Sequence, residues 1–533
     1  MIFSSYEFVL VFLPAVVLAV FCASALRQRT LAKLLLFGAS LAFYAWWNPR
    51  YVLLLLALLG FNFTIGSWLI RSHGRAAPRL RLAVATAGVI ANIGVLVYFK
   101  YANFFVGVAG DLTGWQLSIA TIVLPLGISF ITFQKIAFLV DAYGGQIQQL
   151  SLLDYGIFVT FFPQLIAGPI VHHREVIPQL QSDTSLRYNR RLIPIAVTFF
   201  VIGACKKVLI ADRLSPHVAA AFTTASAGGP LDGATAWLGA LGYTLQVYFD
   251  FSGYSDMAIG LGLLFGIRLP FNFNSPLKAI SIIDFWSRWH MTLTRFLTAY
   301  LYNPIVLRAT RRWMAAGKKV SIKGVMPPGA LVRLLAIPTM ITMAIAGLWH
   351  GAGWQFIAFG AIHGAYLVIN HAWRNFRLRG RHGGKSAPAT PAGIGVARAA
   401  TLLALLLSIP FFRADSVTSG GRFVTSMLGA HGVDLRAAAH DRAYLGVLAL
   451  VFLASQVLPN TQELLRDRLE AATAPLARHP GAGRGLAASA TDSWAWPRVH
   501  WKPTVMWALM IGALGWYVVL QMATPSEFLY FQF

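Results

Sequence analysis

The chain has 533 residues, of which 57% are hydrophobic and 12% charged, with a mean hydropathy of +0.62. A soluble domain carries roughly 25% charged residues, so a soluble globular fold is excluded in favour of an all-α polytopic membrane protein built from apolar runs of bilayer length. The formal charge of +25 comes from Lys and Arg placed between apolar runs, where they set topology and meet membrane lipid, and no nucleic-acid groove competes with that explanation.

The first four spans cover residues 8–26, 31–47, 51–70 and 82–98. Ala23-Ser24-Ala25 imitates a signal-peptide cleavage site, but Glu7 precedes the first run and Arg27, Arg29 and Lys33 follow it. That charge order predicts an uncleaved first span with its N-terminus outside. Residues 115–133 are long enough to cross, with Pro125 and Gly127 interrupting them. Residues 157–170 carry Pro163, Gly168 and Pro169 and read as a re-entrant or broken segment. His172 and His173 open a polar, basic stretch and are assigned to a solvated cytoplasmic loop.

The apolar run 192–210 is broken by Lys206-Lys207, and the runs 234–249 and 255–265 are separated by Asp250-Phe251-Ser252-Gly253-Tyr254. Residues 268–333 form the largest basic segment, in which only Asp284 opposes nine lysines and arginines between Lys278 and Lys323, and this places it in the cytoplasm. Within it, residues 285–301 have helical periodicity. Phe285, Trp289, Leu293, Phe296 and Tyr300 make an apolar stripe, and Ser287, Arg288, Thr294, Arg295 and Thr298 a polar one. The expectation is one interfacial amphipathic helix with His290 at its apolar side.

Spans follow at 334–346, 355–369, 399–412, 444–458 and 504–521, with a flexible basic loop at 371–398 that contains Gly383-Gly384, Pro388 and Pro391. Residues 459–502 are polar and basic. The total is about 11–13 spanning or re-entrant segments with both termini outside. The organisation is a single membrane domain over 1–533: N-terminal spans in 1–150, a motif-bearing core in 151–370 and C-terminal spans in 371–533. Cys22 and Cys205 stand far apart without ligand spacing, so no metal site is expected and both read as small buried hydrophobes.

The chemistry centres on Gly347-Leu348-Trp349-His350-Gly351-Ala352-Gly353-Trp354, a histidine between glycines at a break in apolar sequence. An ionisable group at membrane depth is by default a functional-site hypothesis, although a helix turn with a packed histidine fits the octapeptide equally well. A buried neutral imidazole can take a proton from a hydroxyl that attacks an activated acyl carbon such as a thioester, a contribution of roughly 10²–10⁴-fold. The sequence has no nucleophile elbow, phosphate-binding loop, dinucleotide fingerprint or zinc-protease helix. Asp250 and Asp256, with Ser252, Tyr254 and Ser255, leave three readings open: a transporter's substrate or ion site, the lining of an acceptor route, or pairing with Lys206, Lys207 or backbone. His363, on an apolar helix, reads as a packed helix-interface residue.

Several stretches taken together resemble the membrane-bound O-acyltransferase (MBOAT) superfamily, in its bacterial alginate O-acetyltransferase-like branch. They are Met1-Ile2-Phe3-Ser4-Ser5-Tyr6-Glu7-Phe8 with Phe12-Leu13-Pro14, Phe161-Phe162-Pro163-Gln164-Leu165-Ile166-Ala167-Gly168-Pro169-Ile170, and Tyr248-Phe249-Asp250-Phe251-Ser252-Gly253-Tyr254-Ser255-Asp256-Met257-Ala258. Asn272-Phe273-Asn274-Ser275-Pro276 then precedes Asp284-Phe285-Trp286-Ser287-Arg288-Trp289-His290, followed by Gly347-Leu348-Trp349-His350-Gly351, His363-Gly364 and the terminal Tyr530-Phe531-Gln532-Phe533. The motifs stand in family order across nearly the whole chain.

The resemblance implies a helical bundle with a central funnel and no bound cofactor. It implies transfer of an acyl group, typically acetyl, from a cytoplasmic thioester donor (acetyl-CoA or an acyl carrier) to an extracytoplasmic polysaccharide acceptor through a periplasmic partner protein. In this reading the protein lies in the bacterial inner membrane. His350 matches the family's catalytic histidine and His290 its second signature histidine; Asp250, Ser252, Tyr254 and Asp256 would line the substrate route. After His290 the alginate-type members carry an arginine–aspartate pair and a Leu-Gly-Gly-Asn run. Residues 297–307 have neither, which marks a different sub-branch and leaves alginate, cellulose, peptidoglycan and other exopolysaccharides open as acceptors. The rival functions are a transporter of a polysaccharide precursor or lipid-linked donor, and a non-catalytic scaffold of a polysaccharide synthase.

Overall fold

The computed structural model describes residues 1–115, 122–322, 324–379, 390–438, 441–473, 501–522 and 528–529. It is helical, with no strand among the described residues. Among the described residues, seven helices are long and apolar enough to cross a membrane: Glu7–Ala25, Arg50–Arg71, Pro78–Thr113, Ile193–Ser226, Pro328–His350, Pro391–Arg413 and Arg442–Thr473. Val505–Leu520 is a shorter apolar helix. The chain is therefore an all-α polytopic membrane protein. Its residues group into two compact units, one of Met1–Ile210, Phe249–Phe271 and Pro459–Gln532, the other of Ala211–Tyr248 and Asn272–Leu458.

The first unit is organised by aromatic packing and by polar pairs held away from lipid. Phe8, Phe43 and Phe162 are buried together, with ring centroids 5.8 and 5.6 Å apart for successive pairs. Asn62 and Asn92 exchange side-chain hydrogen bonds of 3.1 and 2.8 Å between helices, which removes two amides from contact with hydrocarbon. Helices Ile193–Cys205 and Gly233–Leu264 touch backbone to backbone. A Cβ on Gly203 would fall 2.5 Å from the Gly253 carbonyl oxygen, and one on Gly253 would fall 2.6 Å from that of Gly203. Only glycine on both sides permits this approach.

Two sequence expectations change here. Lys206-Lys207 does not end the run 192–210, because a wider turn at Lys206–Ala211 carries the chain straight on into Asp212–Ser226. Nor do Asp250 to Tyr254 separate two helices, since Gly233–Leu264 is continuous through them. Helix-compatible residues whose charges find partners give the backbone no reason to break. Of the predicted span 115–133, residues 122–127 are not helical and the helix starts at Ile128; residues 116–121 lie outside the described residues. The segment 157–170 is broken as expected, with Leu152–Thr160 and Phe162–Leu165 separated at Phe161.

The second unit has a core of Ala279, Ile282, Phe285, Trp286, Met343 and Leu405. These residues join the short helix Ile282–Arg288 to the longer helices Ile337–His350 and Pro391–Arg413. The single amphipathic helix predicted over 285–301 is interrupted: Ile282–Arg288 and Met291–Leu297 are separate helices, with His290 in a left-handed conformation between them. Arg288, placed on the solvent stripe, is buried and bonds Asp284 through Nε at 2.8 Å. The exposed basic helix lies further on, at Asn303–Ala315, where Arg308, Arg311 and Arg312 face outward.

Other local expectations are corrected by burial. Cys22 is exposed and Cys205 half-buried, both as free thiols; an apolar run with lipid around it does not bury every small residue inside protein. His173 is buried rather than solvated, and His172 caps the helix His173–Gln181. The predicted loop 371–398 is helical through Arg379, and Gly383, Gly384 and Pro388 lie outside the described residues, as do Tyr530 to Phe533.

Candidate active site

His350 is the last residue of the helix Ile337–His350, and Gly351 turns the chain into an extended conformation before Trp354–Arg379 begins. Two glycines fix how closely these helices cross. A Cβ on Gly347 would lie 2.2 Å from the Phe356 carbonyl oxygen, and one on Gly360 would lie 2.2 Å from that of Met343. Close approach of this kind is how membrane helices gain packing contact where lipid supplies no hydrophobic drive. It leaves His350 only 4% exposed. The imidazole stands near-perpendicular to Trp349 at 5.0 Å and to Phe412 at 5.1 Å between centroids. Phe412 comes from the neighbouring helix Pro391–Arg413.

His290 is held by a different device. The segment from Asn272 runs beside the end of the Ile282–Arg288 helix: the Asn274 N–H donates to Arg288 O at 2.9 Å and the Met291 N–H to Asn272 O at 2.9 Å. Between those two bonds His290 adopts φ 44 and ψ 51, in the left-handed region. That conformation costs an L-residue roughly 1–2 kcal/mol, and such strain persists only where the surroundings over-determine it.

The surroundings here are specific. The Asn272 side-chain oxygen lies 2.9 Å from His290 Nδ1, accepts the Thr292 hydroxyl at 2.9 Å, and accepts the Thr292 N–H at 3.4 Å. Because that oxygen is an acceptor, Nδ1 carries the proton and the lone pair of the neutral ring is on Nε2. His290 is 1% exposed, and burial pushes its pKa down to about 3, so the ring is neutral. The Trp349 ring stands 6.1 Å from the His290 ring and 5.0 Å from that of His350. His290, His350 and Trp349 thus belong to one constellation in the second unit.

His363 belongs to the same unit but has a packing role. Its Nε2 lies 2.9 Å from Ser408 Oγ. The Ser408 hydroxyl donates to Leu405 O at 2.9 Å, so the histidine is the donor. Its ring packs against Trp286 and Phe359 at 5.4 and 4.4 Å, the helix-interface residue expected from sequence.

The acidic residues belong to the first unit and are matched to the lysines. Lys207 Nζ lies 2.7 Å from Asp250 Oδ1, and the Leu529 N–H donates to the other carboxylate oxygen at 3.1 Å. Lys206 Nζ lies 2.6 Å from Asp256 Oδ2, which also accepts the Thr461 hydroxyl at 2.6 Å. Of the readings left open for these carboxylates, pairing is the one these contacts express. Tyr254 stacks on Phe3 at 4.7 Å and packs on Phe528 at 4.8 Å. Ser252 is buried beside these residues in sequence, on the same helix. Asn272, Trp349 and Phe412 escaped the sequence reading as site residues. Asn272 was visible only as the first letter of a motif 18 positions before the histidine it bonds, and Phe412 carried no local signal at all.

Comparison with known proteins bears on what this constellation is for. A profile of the membrane-bound O-acyltransferase family matches residues 87–317. The peptidoglycan O-acetyltransferase of Helicobacter pylori is 37% identical over 466 residues, covering 82% of this chain and 81% of that protein. The "Probable alginate O-acetylase AlgI" of Azotobacter vinelandii is 34% identical over 546 residues, covering both chains in full. A teichoic acid D-alanyltransferase of Streptococcus thermophilus is 29% identical over 46% of this chain and 57% of its own. With 37% and 34% identity to the Helicobacter pylori and Azotobacter vinelandii proteins over most or all of both chains, the chain belongs to the membrane-bound O-acyltransferase family and is an acyltransferase.

Proposed function

We propose that the protein is an O-acetyltransferase of the bacterial inner membrane that takes an acetyl group from a cytoplasmic thioester, acetyl-CoA or an acyl carrier, and delivers it for O-acetylation of an extracytoplasmic polysaccharide. The observation that carries this reading is His350: a buried imidazole at the end of a helix, fixed by two aromatic rings and a glycine crossing. In the reaction His350 takes the proton of the accepting hydroxyl as its oxygen attacks the thioester carbonyl. The carbon–sulfur bond then breaks, and the proton returns to the departing thiolate. The carbonyls at the helix C-terminus present partial negative charge towards the imidazolium formed on the way. His290, neutral and held by Asn272, orients the donor or His350.

The exposed Arg308, Arg311 and Arg312 on Asn303–Ala315 suit a cytoplasmic face that receives an anionic donor. The relatives' names point to peptidoglycan and alginate as acceptors of those proteins, so both peptidoglycan and exported polysaccharide are the substrates to assay. A periplasmic partner completes delivery, and both termini face the periplasm. The deciding experiment is the ester-linked acetate content of both polymers in a strain expressing His350→Ala at wild-type level. Loss of acetate supports the reading, and unchanged acetylation refutes it.

A further inference from the structure

Away from the histidines of the transfer site, three side chains converge where the helix Ile128–Tyr143 meets the chain leading into His173–Gln181. Asp141 Oδ2 lies 2.7 Å from His172 Nε2 and 3.7 Å from His173 Nδ1. One ligand atom from each of the three lies within 4.8 Å of the other two. Ligands on a tetrahedral zinc at 2.0–2.1 Å stand about 3.3 Å apart, so small side-chain rotations bring all three to that spacing.

A hydrogen bond explains only part of this cluster. Asp141 and His172 satisfy each other, and the Arg174 N–H donates to His172 Nδ1 at 3.3 Å. His173 is only 5% exposed, yet neither of its ring nitrogens has a hydrogen-bond partner among the described residues. Burying a polar group in that state is unfavourable, and a bound cation would offset the cost.

We propose that Asp141, His172 and His173 bind a divalent transition-metal ion of the zinc class, a site separate from acyl transfer. The ion takes one carboxylate oxygen and two imidazole nitrogens, with water completing the shell. To ligate through Nε2 the His172 ring moves its proton to Nδ1, so the Nε2 hydrogen bond to Asp141 is replaced by metal ligation and the long bond from the Arg174 N–H is given up. The side chain of His172 is 23% exposed, which leaves a way in from solvent. The bound ion ties one end of Ile128–Tyr143 to the start of His173–Gln181, directly after the buried residues 165–171.

The test uses full-length protein purified in detergent without a polyhistidine tag, stripped with EDTA and then passed through gel filtration after exposure to Zn²⁺. The expected result is one equivalent of zinc retained by the wild type and lost in Asp141→Asn and His173→Gln. Titration with Co²⁺ as the probe should give visible d–d absorption in the wild type alone, and zinc should raise only its thermal midpoint. Equal zinc in wild type and His173→Gln, or none retained by the wild type, overturns the proposal. If neither variant folds, the wild type decides: a thermal midpoint that does not fall on stripping and recover with Zn²⁺ overturns it equally.

Discussion

Gly347→Ala adds one methyl group, and the structure says where it goes. The new Cβ would sit 2.2 Å from the Phe356 carbonyl oxygen, whereas ordinary contact begins near 3.4 Å. The obstacle is backbone, so no side chain can swing aside, and the helices Ile337–His350 and Trp354–Arg379 must part by about 1.2 Å, the difference between 3.4 and 2.2 Å. His350 lies three residues further on, at the end of the displaced helix. A misplacement of about 1 Å costs on the order of 10²-fold in rate, or about 2.7 kcal/mol of barrier. The assay is alkali-released acetate per unit of membrane-inserted protein. Gly38→Ala is the control, because nothing lies within 4 Å of its added Cβ, and it should acetylate normally. Wild-type activity in Gly347→Ala, or equal loss in Gly38→Ala, would refute the claim that the glycine crossing sets the position of His350.

Asparagine tolerates the left-handed conformation of position 290, so His290→Asn should keep the wild-type detergent-purified yield while acetylation falls at least tenfold; retained acetylation would remove His290 from the site. Because the folded His290 resists protonation down to about pH 3 while an unfolded histidine protonates near 6.5, its contribution to stability is complete above pH 6.5 and is lost as pH falls below it. The thermal midpoint should therefore drop between pH 7 and 5, and less steeply in His290→Asn. Lys207→Met leaves the buried Asp250 carboxylate without its cation, a loss of about 3–5 kcal/mol. Adding Asp250→Asn should recover most of the folded yield, and failure to recover would mean the lysine matters for something other than this pair.

Much of this molecule could be read from residues alone. Apolar runs with basic loops between them announced a polytopic helical protein, and the motifs Asn272–Pro276 and Asp284–His290 were legible as strings. What joined them was not: the pairing of residues 272–274 with 288–291 and the left-handed turn at His290 depend on Asn272, 18 positions away. A histidine with positive φ has no signature in periodicity, and the predicted helix ran straight through it. The lysine and aspartate pairs misled in the opposite direction. Charges inside an apolar run look like breaks until a partner helix neutralises them, and that partner lies more than 40 positions away. His172 and His173 read as loop because their neighbours in sequence are polar, while the carboxylate they gather around comes 31 positions earlier, from Asp141.

The lysine–aspartate pairs also constrain how the protein is made. Lys206 and Lys207 emerge from the ribosome well before Asp250 and Asp256, on a helix apolar enough to cross the bilayer. A lysine alone at membrane depth costs roughly 2.5–3.5 kcal/mol on insertion scales, and two adjacent ones make early release into lipid unfavourable. The helix beginning at Ile193 would wait beside the insertion machinery until Gly233–Leu264 arrives with both countercharges. The Gly203–Gly253 contact then does more than pack a finished protein: it lets two successively synthesised helices meet closely enough to become a neutral unit before either is left to the membrane.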